Sequence, residues 1–181
     1  PPVERLRDDF HLPGMKILQF AFSGAEVREH GFTNAFLPHL YTQSSVVYTG
    51  THDNTTLRAW LDTLSREDFD ALPFYLYGEK PELLNELYPA ERRAADDASL
   101  IEAASFKADL CEELIKKAFF SVAVFAVIPF QDLYALGAEA RMNEPSTLGK
   151  NWTWRMQRGL LTQESAEWLG NLVFASGRCN E

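Results

Sequence analysis

Cysteine is scarce in this sequence: Cys111 and Cys179 stand far apart and share no CxxC spacing. That argues against a disulfide framework or a thiolate metal site and fits a reducing compartment. The four histidines include no closely spaced pair such as HxxxH, so no ready-made metal motif is present and none is expected. Basic residues are also few, with 17 Lys and Arg against 26 Asp and Glu and a net charge of −9. Nucleic acids are bound through clustered Lys and Arg, so they are not expected as partners. The longest apolar run, AFFSVAVFAVIPF at 118–130, falls short of the ~20 residues that span a bilayer. No membrane partner is expected, and the setting is read as cytoplasmic, or plastidial in a plant-type source. No signal segment, repeat or low-complexity tract appears. The chain opens at Pro1 without an initiator Met, which reads as a fragment or a processed product.

What the chain does have is apolar mass: 46% hydrophobic residues over 181 positions, enough for one domain with a core. Three runs predict strands: MKILQFAF (15–22), SVVYTG (45–50) and SVAVFAVIPF (121–130). They are nearly continuous rather than alternating, the pattern of parallel strands covered on both faces.

Helical spacing follows in TTLRAWLDTL (55–64), where Leu57, Trp60, Leu61 and Leu64 share a face and Thr55 is the expected cap. Residues 97–120 predict one or two helices. In TQESAEWLGNLVFAS (162–176), Thr162 and Ser165 mark a start and Gly177 a stop. The stretch 65–94 contains Pro73, Gly78, Pro81 and Pro89 and predicts short helices and loops. Alternating strands and helices give an α/β class, layered or barrel. Three strands cannot close an eight-stranded barrel, so on a barrel reading this chain holds only its last part.

Chemistry concentrates where strands end, since barrel sites gather at the carboxyl ends of the strands. The second run ends in THDN. His52 and Asp53 can both point into a cleft, the carboxylate holding hydroxyls or opposing a developing positive charge. The competing reading makes Asp53 only a cap for the helix near Thr55; a third makes His52 and Asp53 metal ligands in a hydrolase. Gln131 and Asp132, ending the third run, read as a local hydrogen-bonding pair. EARMNEPSTLGKNWTWR sets Arg141, Asn143, Asn151 and Arg155 among Trp152 and Trp154. Amides and rings together suit sugars, with hydroxyls hydrogen-bonded and an apolar sugar face stacked; Trp154 is expected in the core.

LPGMKILQFAF, VVYTGTHDN, PFQDLYALG and ARMNEPSTLGKNWTWR, in that order from about Leu12 to Arg155, resemble the C-terminal part of the 4-α-glucanotransferases, the amylomaltases or disproportionating enzymes of glycoside hydrolase family 77. The resemblance implies the last three strands or so of a (β/α)₈ barrel. Residues 1–181 would then be the C-terminal part of a single catalytic domain. It implies transfer of α-1,4-glucan segments among maltooligosaccharide, starch or glycogen chains, to glucose or a glucan acceptor, without a cofactor. The implied mechanism is a retaining double displacement through a glycosyl-enzyme.

On this resemblance Asp53 matches the third carboxylate, stabilising the transition state. His52 and Asn143 match groups that bind the sugar, and Asn54 is taken with them. The family's nucleophilic Asp and acid/base Glu lie upstream of LPGMK, and Glu4, in the helical VERLRDDF, does not replace them. The chain by itself is therefore expected to be inactive. A non-catalytic glucan-binding fragment is the alternative within the same chemistry. The pattern departs from the family in HDNTT, at Leu40, and at Ser146 and Gly149 in PSTLGKNW.

Overall fold

A computed structural model describes residues 2–22, 24–78 and 97–179. Its centre is a three-stranded, wholly parallel sheet of β1 (Gly14–Ile17), β2 (Ser45–Tyr48) and β3 (Phe125–Val127), in that spatial order. Met15, Val46 and Phe125 are in register, as are Ile17, Tyr48 and Val127. Around the sheet lie α1 (Pro2–Asp9), α2 (Gly24–His30), α3 (Leu57–Thr63), α4 (Arg66–Tyr77), α5 (Asp97–Phe119), the single turn α6 (Phe130–Leu133) and α7 (Gln163–Ala175).

The strands are shorter than the apolar runs. After Ile17 the chain turns into a 3₁₀ segment, Leu18–Phe20, where Leu18 is fully buried. The run continues because that turn enters the core, not because the strand does. In 121–130 only three residues pair.

Nor is the sheet covered on both faces. Val47 lies fully buried on the helical side with Ala118 and Ala123. On the opposite face Met15, Phe125 and Val127 are exposed by 58%, 60% and 43%. Side chains alternate across a strand, so this second face is an apolar surface that no described element covers.

The core sits between helices. Leu57 and Leu61 of α3, Leu72 of α4, and Leu110, Leu114 and Ile115 of α5 are within 1% of full burial and form one cluster with Leu18 and Leu37. Burial of each such side chain stabilises the fold by about 1.5–3 kcal/mol. Residues 97–119 form one helix, not two. α4 runs through Pro73 and ends at Gly78 (φ 78°), whose left-handed backbone closes the helix without Cβ strain; residues 79–94 of the predicted loops lie outside the described residues. Thr162 and Ser165 cap α7 reciprocally. Beyond α7, Arg178 donates to the carbonyls of Phe119, Ser121 and Ala123 at 2.6, 2.9 and 2.9 Å, tying the C-terminal segment to the start of β3. Among the described residues, no helix is long and apolar enough to cross a membrane.

Candidate functional site

β2 delivers its chain to a tight turn. Asn54 N–H donates to Thr51 O at 3.1 Å. Asn54 Oδ1 accepts from Thr51 N–H at 2.9 Å and Thr51 Oγ1 at 2.8 Å. This Asx-type closure spends the Asn54 side-chain oxygen on the loop itself and turns His52 and Asp53 outward, 55% and 49% exposed. His52 Nε2 lies 3.3 Å from Asp53 Oδ1. Gly50 packs so closely on Gln19 that a Cβ would lie 2.7 Å from the Gln19 amide nitrogen. Buried Gln19 in turn donates to Thr55 O at 3.0 Å.

Asp53 does not cap α3. That helix is capped by Thr56, which accepts from Ala59 N–H at 3.2 Å, and by Asp132, which accepts from Leu57 N–H at 2.7 Å. The other Asp132 oxygen accepts from Thr49 Oγ1 at 2.5 Å. These bonds span 75 and 83 residues, so the aspartate read as a local device is a long-range one. Asp132 is 2% exposed, and burial raises its carboxyl pKa despite the two hydrogen bonds, which act the other way.

The segment after β3 folds over the same turn. A 3₁₀ turn at Ala138–Ala140 precedes Arg141, whose guanidinium donates to Asp53 O and to Asn143 O, both at 2.8 Å. Asn143 N–H donates to His52 O at 3.1 Å, and Asn143 Nδ2 donates to Asp53 Oδ1 at 2.6 Å. Trp152, at φ 64°, sets its ring 5.0 Å from the His52 ring. Asn151 clips its own loop, accepting from Glu144 N–H and donating to Thr147 O. Arg155 donates to the Trp152 and Trp154 carbonyls. Trp154 is half-buried rather than in the core.

A cleft of about 370 Å³ opens at the carboxyl ends of the strands. Met15, Tyr48 and Val127 from the open sheet face form its floor, and Thr51, His52, Asn54, Arg141 and Met142 its walls. Asp53 stands at the rim between two lining residues. Asn143 takes one of its oxygens, and the other has no hydrogen-bond partner among the described residues. A second hollow of about 400 Å³, lined by Asn143, Glu144, Lys150 and Trp154, flanks it. A carboxylate with one oxygen fixed and one open, beside an imidazole that lines a cleft with an apolar floor, can grip a hydroxylated ring and oppose positive charge on it.

Sequence reasoning singled out His52, Asp53, Asn54 and Asn143, and the fold brings all four together. It gave no part to Gln19 and Thr49; a lone amide inside the apolar run ILQFAF was the available signal for the first. Among the described residues, no three His, Cys, Asp or Glu side chains cluster as metal ligands.

The sequence profile of the 4-alpha-glucanotransferase family, glycoside hydrolase family 77, matches residues 1–162. The chain is 40% identical over 155 residues to the chloroplastic/amyloplastic 4-alpha-glucanotransferase of Solanum tuberosum, covering 85% of this chain and 21% of that protein. It is 38% identical over 180 residues to the 4-alpha-glucanotransferase of Thermus thermophilus, covering 98% and 31%. Its fold matches the amylomaltase from Streptococcus agalactiae, solved in complex with acarbose, with a TM-score of 0.74 and 27% identity over 99% of this chain and 30% of that one. The chain thus spans about a fifth to a third of the length of these relatives.

Proposed function

Because the chain belongs to the 4-α-glucanotransferase family, we propose that it forms the C-terminal part of a (β/α)₈ barrel. That barrel transfers α-1,4-glucan segments between maltooligosaccharide, starch or glycogen chains. The open apolar face of Met15, Phe125 and Val127 supports the barrel: in a closed cylinder that face is the packed interior. The seat of action is cytoplasmic, or plastidial in plant-type sources.

The observation that carries the reading is the Asp53 carboxylate, held by Asn143 beside His52, which lines the cleft. In a retaining transfer an upstream Asp attacks the anomeric carbon while a Glu protonates the leaving oxygen. The glycosyl-enzyme is then captured by a sugar hydroxyl instead of water. Asp53 accepts from hydroxyls of the sugar at the cleavage point and opposes the charge of its oxocarbenium-like state. His52 donates to the same ring, while Asn143 fixes the carboxylate and adds a polar contact. Asn54 acts by closing the turn, through the oxygen it gives to Thr51. Contacts that strengthen as the ring flattens lower the barrier.

The test is Asp53→Asn in the full-length enzyme, assayed on maltotriose. Turnover should fall by at least about 10²-fold, the scale of losing one transition-state contact, with unfolding by circular dichroism unchanged. Near-normal turnover would overturn the assignment. Among the described residues, His52 and Asp53 have no third His, Cys, Asp or Glu side chain to complete a metal site, and indifference of the activity to chelators is expected.

A further inference from the structure

Beneath the turn that carries His52 and Asp53, one buried side chain joins three parts of the fold. Asp132, in α6 beyond the carboxyl end of β3, accepts from Thr49 Oγ1, the last residue before the turn segment, and from Leu57 N–H, the first residue after it. One carboxylate therefore pins both feet of the 50–56 segment, whose His52 and Asn54 line the cleft with Asp53 between them at its rim. Thr49 is fully buried and Asp132 nearly so, and neither has a water-facing substitute for these bonds. We propose that Asp132 is a positioning residue for the transfer reaction, setting the height and angle of the His52–Asp53 turn by holding Thr49 and Leu57 together. The inference rests on the reading of Asp53 given above.

Three features support it. Burying a carboxylate is costly unless it is hydrogen-bonded, and a leucine would fill much the same space without that cost. What an apolar residue cannot do is accept two hydrogen bonds whose donors lie either side of the turn. The turn closes on itself through Thr51 and Asn54, and Arg141 and Asn143 hold its tip from the loop after β3; its base is held from below, by Asp132 on Thr49 and Leu57 and by Gln19 on Thr55. And Asp132 lines both the cleft and the hollow between α5 and α7, and so stands in the partition between them.

The test uses the full-length enzyme with Asp132→Asn, Asp132→Leu and, as a control of comparable destabilisation away from the cleft, Leu172→Ala. Asparagine keeps an acceptor for Leu57 N–H, and its amide can donate to the Thr49 hydroxyl; leucine keeps only volume. Asp132→Leu should lower kcat on maltotriose by about 10- to 100-fold, the cost of misplacing a reacting constellation by about 1 Å, with KM changed less than about threefold. Amide hydrogen exchange over 49–57 should accelerate in the same variant. Asp132→Asn should recover most of both, and Leu172→Ala should change neither. Equal loss of kcat in Asn and Leu, or loss of kcat without faster exchange at 49–57, overturns the proposal, as does faster exchange with kcat unchanged. Asp53→Asn, run alongside, reports separately on the reading of the site, since the exchange measurement does not depend on it.

Discussion

Asn143 Nδ2 donates to Asp53 Oδ1 at 2.6 Å, joining residues that lie 90 positions apart. The bond orients a half-exposed carboxylate between His52 and Asn54, which line the cleft, and it connects the loop after β2 to the loop after β3. A hydrogen bond to a charged partner is about twice as strong as one between neutral groups.

The first expectation concerns that pair. In the full-length enzyme, Asn143→Ala should lower turnover by roughly 10-fold, less than Asp53→Asn, because it frees the carboxylate without removing it. The double variant should be no slower than Asp53→Asn alone by more than about twofold, since contacting residues are not additive. Steady-state rates of the four proteins decide it; full additivity would show that the two side chains act separately.

A second concerns Gly50. A Cβ there would lie 2.7 Å from the Gln19 amide, which holds Thr55 O. Gly50→Ala should displace Gln19 and lower kcat by about 10-fold through the turn it braces. Gln19→Ala in the same background should restore none of the loss, because it removes the bond to Thr55 O that the clash disrupts. If Gly50→Ala has wild-type rates, the contact yields without moving the turn.

A third follows from the buried carboxylate. Burial raises the Asp132 pKa in the fold, so the folded state holds this proton more tightly than the unfolded one, whose value is about 3.9. Its contribution to stability is complete below that value and is lost as pH rises through the window up to the raised folded pKa. Asp132→Asn carries no such titration. Its unfolding midpoint in denaturant, relative to the natural protein, should therefore be more favourable at about pH 7 than at about pH 4. A difference of the opposite sign would mean that the fold prefers the charged form.

The cysteines give a fourth. Cys111 is buried, with its thiol pushed up to about 12 by burial and then by the neighbouring Asp132 charge, while Cys179 is exposed. The thiolate is the reactive form. Iodoacetamide at about pH 8 should alkylate Cys179 in the native protein and leave Cys111 untouched until denaturant is added, as read by peptide mass spectrometry. Rapid native labelling of Cys111 would contradict this packing.

Much of this was legible before any coordinates. Three apolar runs separated by helical spacing required parallel strands in an α/β fold, and THDN at the end of one of them required polar groups at a strand mouth. Caps and stops such as Thr162, Ser165 and Gly177 are local, set by the chain's own backbone donors, and local signals survive in a single sequence. Pro73 misleads for the same reason: taken alone it breaks a helix, but in α4 it lies buried against the core, and packing outweighs propensity.

Tertiary structure alone decided the rest. That Asp132 caps α3 and Asp53 does not, that Arg141 braces the Asp53 backbone, and that one sheet face stays open while the other is packed are all relations across 75 residues or more of chain, or across strands. A side chain's type states what bonds it can make. Which bonds it does make depends on which donors the fold carries to it, and no spacing along the chain encodes that distance.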